Sequence, residues 1–94
     1  MDVKQAVQEA KNHILYLFGE EGVTNLGLEE VDFDDNAQVW IVTIGFSRPW
    51  DKPSTSSVAS VLQQLGSPKR DYKVVRIDDA AGKVRSVKNR ESKS

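Results

Sequence analysis

The sequence predicts an α+β fold: an N-terminal helix packs on an antiparallel meander of three or four strands, and a short second helix lies in the long connection between the second and third strands. Two observations lead to this prediction. One apolar stripe at helical spacing opens the chain, and several segments of strand type follow it. A chain of 94 residues has room for one core. We therefore expect a single domain over 1–90 and a disordered tail at 91–94.

The first helix is predicted at about 3–18. Asp2 and Gln5 have the spacing of a capping box at its start, and the glycines that follow it supply a stop. Tyr16 falls opposite the apolar stripe and is expected to be exposed. The stripe consists of Val3, Ala6, Val7, Ala10, Ile14, Leu17 and Phe18.

The strands follow in two pairs. In TNLGLEEVDF the apolar alternation changes phase near Glu29 and Glu30, which indicates a bulge or a bend. The residues at 34–36 have turn chemistry, and QVWIVTIGF is the clearest strand of the chain. The face of this strand that carries Val39, Ile41, Thr43 and Gly45 is not strongly polar, so we expect a central strand that is partly covered on both sides. DYKVVRID, DAAG and KVRSVKNRE predict a final hairpin. The core face of the central strand is predicted to carry Trp40, Val42, Ile44 and Phe46.

A long connection, residues 47–71, joins the second and third strands. Antiparallel neighbours need about two to five residues for such a link. Two prolines in SRPWDKP exclude a continued central strand, whereas SVASVLQQLG has apolar residues at helical spacing. We therefore expect a short helix at about 57–65, and we expect the connection to serve a function, because long loops in compact domains are usually functional or disordered.

Composition limits the chemistry and the location. The chain has no cysteine, which excludes disulfides, thiol nucleophiles and thiolate metal sites. It has neither a basic and apolar leader nor an apolar run long enough to span a membrane, so we expect a cytoplasmic protein that does not engage membranes.

The charges are divided between the two halves of the chain. Residues 1–47 contain two lysines and nine acidic residues, a balance of −7, whereas residues 48–94 contain eleven basic and five acidic residues, a balance of +6. Such asymmetry either marks a surface for a charged partner or places opposite charges side by side in one fold.

The candidates for catalysis and metal binding are few. His13, the only histidine, lies on the flank of the helix stripe without an obvious partner, and a half-buried boundary position explains it. The acidic group Asp32, Asp34 and Asp35 lacks the central glycine and closing glutamate of an EF-hand loop, which favours a solvated turn.

Paired carboxylates and serine nucleophiles are also poorly supported. Glu29 and Glu30 are adjacent in a strand and would point to opposite faces unless a bulge turns one of them. The serines of the connection have no base beside them. We therefore expect no enzymatic activity, no cofactor and no metal.

The remaining cluster lies at the two ends of the long connection. If the strands on either side of it are neighbours, its cations and aromatic rings meet at one edge of the sheet, where they suit acidic protein surfaces, phosphates or unstacked bases. Alternation in the last hairpin would add Arg76, Lys88 and Arg90 to one open face. The candidate binding residues are Arg48, Trp50, Lys69, Arg70, Tyr72 and Arg76.

A structural reading of the same residues stays open. Trp50 would then fold back over the end of the core, and Arg48 would pair with Asp51 or Asp71. The lysines would keep a sheet edge soluble.

The last hairpin resembles that of the small PepSY-type domains of bacteria. The matching pattern is an aromatic and apolar strand, an aspartate, a short turn, a glycine, a charged residue and a valine, which here are Tyr72 through Val75, Ile77–Asp78, Gly82, Lys83 and Val84. The order of elements is also similar, in that family or in a related family of small bacterial α+β proteins. The resemblance implies a small regulatory or binding module, often inhibitory, without catalysis of its own. The chain departs from the family in its long connection and in lacking a signal peptide.

Two functions follow from the sequence. The first is a non-catalytic binding or regulatory module that engages a protein partner, as a monomer or a weak homo-oligomer. The alternative is nucleic-acid or phosphate-ligand binding through the basic and aromatic ends of the 47–71 connection. A pI near 5.8 and a net charge of −1 are far from the basic character of nucleic-acid-binding domains, which favours the protein partner.

Overall fold

A computed structural model describes residues 1–49 and 70–90 of the chain. One helix packs on a four-stranded antiparallel sheet of strand order β1-β2-β3-β4, so the predicted α+β fold is confirmed. The predicted short helix at about 57–65 and the predicted tail at 91–94 lie outside the described residues. The elements are α1 (Val3–Phe18), β1 (Thr24–Asp34), β2 (Val39–Ser47), β3 (Asp71–Asp78) and β4 (Val84–Asn89).

Helix α1 begins and ends where the sequence predicts. The Gln5 amide donates to Asp2 Oδ1 and the Asp2 amide donates to Gln5 Oε1, both at 2.8 Å, which completes the capping box. After α1, a 3₁₀ turn (Gly19–Glu21) leads to Gly22, whose φ of +77° is left-handed and suits glycine. Tyr16 is 82% exposed, as its position opposite the stripe predicts.

The core lies between α1 and one face of the sheet, called here the helix face. Small alanines on α1 allow the helix to approach the sheet closely, and the apolar side chains of the two central strands fill the space below it. The buried core residues are Ala6, Ala10, Ile14, Val42, Ile44, Phe46, Val75 and Ile77.

A β-bulge in β1 explains the change of phase in its sequence. Leu28 is opposite Ile44, and Glu30 is opposite Thr43, which leaves Glu29 as the extra residue. Leu28 and Val31 are three residues apart and would lie on opposite faces of a regular strand. Because the bulge adds one residue, both lie on the helix face. The predicted irregularity at this point is therefore confirmed, and a second register shift lies between Thr24 and Gly27.

The other side of the sheet, called here the second face, is the side of β2 that carries Ile41, Thr43 and Gly45. Two side chains of this face are buried, Val39 at 1% and Thr43 at 4% exposure, whereas Ile41 between them is half-buried. This agrees with the expectation of a central strand that is partly covered on both sides.

Strands β3 and β4 form the predicted hairpin. The Asp78 amide donates to the Lys83 carbonyl at 2.8 Å, and the Asp78 side chain accepts from the Ala81 amide at 2.7 Å. Gly82 has a φ of +66°, which accounts for a glycine at this point of the turn.

Candidate binding surface

The two ends of the long connection lie at the same end of the sheet. Strands β2 and β3 are antiparallel neighbours, with Phe46 opposite Asp71 and Gly45 opposite Tyr72. The prediction that these strands are neighbours is therefore confirmed. Trp50 and Lys69, two of the predicted binding residues, lie outside the described residues.

Arg48 lies on the helix face, where it forms an ion-pair network. Its Nε donates to Asp71 Oδ2 at 2.9 Å and its Nη1 donates to Glu21 Oε1 at 3.1 Å. The guanidinium carbon lies 5.5 Å from the ring centroids of both Phe18 and Phe46, and the side chain is only 14% exposed. Hydrogen bonding to Asp71 raises the pKa of Arg48 above its ordinary value. Arg48 thus closes one end of the core, and its pairing with Asp71 is one of the two that the structural reading of the sequence names.

Arg70 lies on the second face and crosses the central strand. Its Nη2 is 3.6 Å from Glu29 Oε1, so the ion pair joins the start of β3 to the bulge of β1. The path passes over Gly45, where an added Cβ would lie 2.7 Å from Glu29 Oε1 and 2.8 Å from Arg70 Nη2. Glycine at this position therefore leaves room for the pair. Arg70 Nε is buried and has no hydrogen-bond partner among the described residues.

The Arg70 pair depends on residues that sequence reasoning did not connect. Glu29 reaches the second face because the bulge turns it, so Glu29 and Glu30 share that face rather than opposing each other. Gly45 was the available signal, since an isolated glycine in a strand of β-branched residues often marks a close approach.

Tyr72 and Arg76 lie on the second face together with two cations of β4. The Arg90 guanidinium carbon lies 3.9 Å from the Tyr72 ring centroid, and the Arg90 amide donates to the Tyr72 carbonyl at 3.2 Å. Lys88 is opposite Val74, and Arg76 is opposite Ser86. The prediction that alternation gathers these cations on one face is confirmed. We call Tyr72, Arg76, Lys88 and Arg90 the basic strip.

The opposite side of the second face is acidic. Along β1, Glu30 is opposite Thr43, Asp32 is opposite Ile41 and Asp34 is opposite Val39, so all three lie on the second face. Two strand spacings, about 10 Å, separate this acidic edge from β3. The division of charge between the halves of the sequence thus becomes a division across one face of the sheet.

The predicted candidates for chemistry are scattered. His13 is half-buried on α1, as its position on the flank of the stripe predicts, and its ring lies 6.0 Å from the Tyr16 ring. Within residues 1–49 and 70–90, no group of three or more histidine, cysteine or acidic side chains is placed to hold a metal ion. In the same part of the chain, no helix has the length and apolar character needed to span a membrane.

Comparison of the chain with protein-family models, curated proteins and solved structures gave no match. The resemblance to PepSY-type domains therefore stays a prediction.

Proposed function

We propose that the protein is a non-catalytic binding or regulatory module that engages an acidic surface of a protein partner through the basic strip. The PepSY-like resemblance of the last hairpin is part of this proposal, as is action in the cytoplasm, which suits a sequence without cysteine.

The pairing of the arginines carries the proposal. Arg48, Arg70 and Arg85 each have a carboxylate within 4 Å. In contrast, no described carboxylate lies within that distance of Arg76 or Arg90, and Lys88 is likewise without one among the described residues. These three cations share one face of two adjacent strands. Cations that have no carboxylate within 4 Å among the described residues can attract a carboxylate-rich partner, and arginine forms bidentate hydrogen bonds with carboxylates.

The aromatic ring of the strip adds to this surface. Stacking of Arg90 on Tyr72 fixes the orientation of a planar guanidinium at the edge of the strip, which reduces the entropy lost when it binds a carboxylate. Tyrosine and arginine are also the residue types that most often supply binding energy at protein interfaces.

The acidic edge favours a protein over a nucleic acid. A phosphate backbone crossing the second face would meet Asp32 about 10 Å from Arg76, two strand spacings away, and Glu30 about 14 Å from Lys88, three spacings away. A folded protein presents both signs of charge and can match the two sides of the face separately.

The test compares three tagged chains in a pull-down from lysate of the source organism. The strip variant carries Arg76→Glu and Lys88→Glu, and the control variant carries Lys4→Glu and Lys83→Glu, which make the same charge change at exposed positions outside the strip. We expect the wild type and the control to capture the same protein partner in similar amounts. The strip variant should capture at least about tenfold less of it. All three chains are first shown to be folded by circular dichroism.

Two outcomes would contradict the proposal. Equal capture by the wild type and the strip variant would place the binding site elsewhere. Nucleic acid in the wild-type eluate, removed by nuclease and by moderate salt, would support the alternative function instead.

A further inference from the structure

The two edge strands of the sheet carry opposite charges on the same face. Within the described part of the chain, no strand pairs with the outer side of β1 or of β4. On the second face, β1 presents exposed Glu30 and Asp32, whereas β4 presents exposed Lys88 and is followed by exposed Arg90. Each edge therefore has the charges that the other edge lacks.

We propose that β4 of one copy pairs with β1 of a second copy and extends the sheet from chain to chain. Because successive strands of the sheet are antiparallel, β1 and β4 run in opposite directions. A second copy in the same orientation thus offers β1 antiparallel to β4, with both helices on the same side of the extended sheet.

One register satisfies both faces of this contact. It places Lys88 opposite Asp32 and Arg90 opposite Glu30 on the second face, where opposite charges across a strand pair are stabilising. On the helix face, the same register places Val87 opposite Phe33, and both side chains already lie partly buried on that side.

The backbone of β4 is oriented for this pairing. The Arg90 amide donates to Tyr72 in β3, so the amide of Lys88, two residues away, also points toward β3. The amides and carbonyls of Val87 and Asn89 alternate with these and point outward. They are the groups that a second copy would bond.

The charges select against the symmetric alternatives. Two β4 edges would set Lys88 and Arg90 against their own copies, and two β1 edges would set Glu30 and Asp32 against theirs, both of which repel. A contact between unlike edges does not close on itself, so association continues beyond a dimer. The bulges at Glu29 and at Arg85 limit the matched segment to about five residues, which keeps the contact weak.

The experiment is sedimentation velocity at low ionic strength, from about 10 µM to about 1 mM chain. We expect the mass of the wild type to increase with concentration and to pass that of a dimer. The acid-edge variant carries Glu30→Lys and Asp32→Lys, and the base-edge variant carries Lys88→Glu and Arg90→Glu. Each alone is expected to associate at least about tenfold more weakly.

Mixing the two variants gives the decisive comparison. Each chain then has an edge that is complementary to the other chain, so an equimolar mixture should recover association. A control with Glu9→Lys and Glu20→Lys changes charge by the same amount at positions off both edges and should associate like the wild type. Amide exchange should slow at Val87 and Asn89 with concentration, but not at Lys88, which already bonds within the hairpin.

Several results would overturn the proposal: a wild type that stays monomeric at every concentration, a mass that stops at two copies, or a mixture of folded variants that remains monomeric. The acid-edge variant also separates this proposal from the proposed function, because it keeps the basic strip and should still capture the protein partner.

Discussion

Replacing Arg48 with methionine is expected to lower the free energy of unfolding by about 2–5 kcal/mol. The charged hydrogen bond to Asp71 contributes about 1.5–3 kcal/mol, since both side chains are largely buried. The pair with Glu21, whose side chain is 39% exposed, adds about 0–1 kcal/mol. Contact with the Phe18 and Phe46 rings adds about 0.5–1 kcal/mol. Methionine keeps most of the apolar stem, so the measured loss reports the guanidinium.

The assay is urea unfolding followed by circular dichroism, in which the transition midpoint should fall by about 1–3 M at an unchanged slope. The matched control is Arg85→Met. Arg85 is 2.7 Å from Asp78 but 57% exposed, so its loss should be below about 1 kcal/mol. A double-mutant cycle with Asp71→Asn should give a coupling energy of about 1 kcal/mol or more. An Arg48→Met chain within about 0.5 kcal/mol of the wild type, or equal losses at the two arginines, would refute the assignment of Arg48 to closing the core.

Three further predictions concern single positions. Gly45→Ala should change stability by less than about 1 kcal/mol, because displacement of the partly exposed Arg70–Glu29 pair is offset by the better strand propensity of alanine. A loss above about 2 kcal/mol in urea unfolding would show that the backbone cannot accept a Cβ. The hydrogen bond from Trp40 Nε1, at 2.9 Å, lowers the pKa of Asp79 below 3.8, with the N-terminal amine as a further cause. The contribution of this carboxylate to stability is thus complete above pH 3.8 and is lost as the pH falls through the lower folded-state pKa. Asp79→Asn should therefore flatten the acid limb of a stability–pH curve measured by urea unfolding with circular dichroism. Asp2→Ala removes the helix cap and should lower the free energy of unfolding by about 0.5–2 kcal/mol in thermal unfolding, whereas Asp2→Asn should retain most of it.

The central strand explains how one small sheet keeps opposite charges apart. On the second face, β2 presents uncharged residues between the acidic edge and the basic strip. It is also the most buried of the four strands. At Gly45 a cation, Arg70, reaches across β2 to a carboxylate, that of Glu29. Because β2 presents no charged side chain on this face, the acidic edge and the basic strip remain separate. Lys88 and Arg90 belong both to the basic strip and to the β4 edge, so an acidic protein partner and a second copy would compete for them.

Much of the fold was determined locally and could be predicted from the sequence. Helix α1 follows from the Asp2–Gln5 capping box and its apolar stripe, which act within a few residues of each other. The period of two in β2, and the change of phase near Glu29, likewise depend only on neighbouring residues. The gathering of Arg76 and Lys88 on one face follows from alternation along a hairpin.

The tertiary structure decided what depends on contacts between distant segments. The sequence identified Arg48 and Arg70 as equivalent candidates at the two ends of one connection, yet strand register places them on opposite faces of the sheet. Arg48 meets Asp71 and Glu21 against aromatic rings, whereas Arg70 crosses Gly45 to a glutamate that a bulge has turned. Which partner an arginine meets depends on register and on side-chain reach across strands, and neither quantity is encoded in the local pattern. The sequence alone therefore determined the elements and their order, and the packing of the elements determined which charges are neutralised and which remain for a partner.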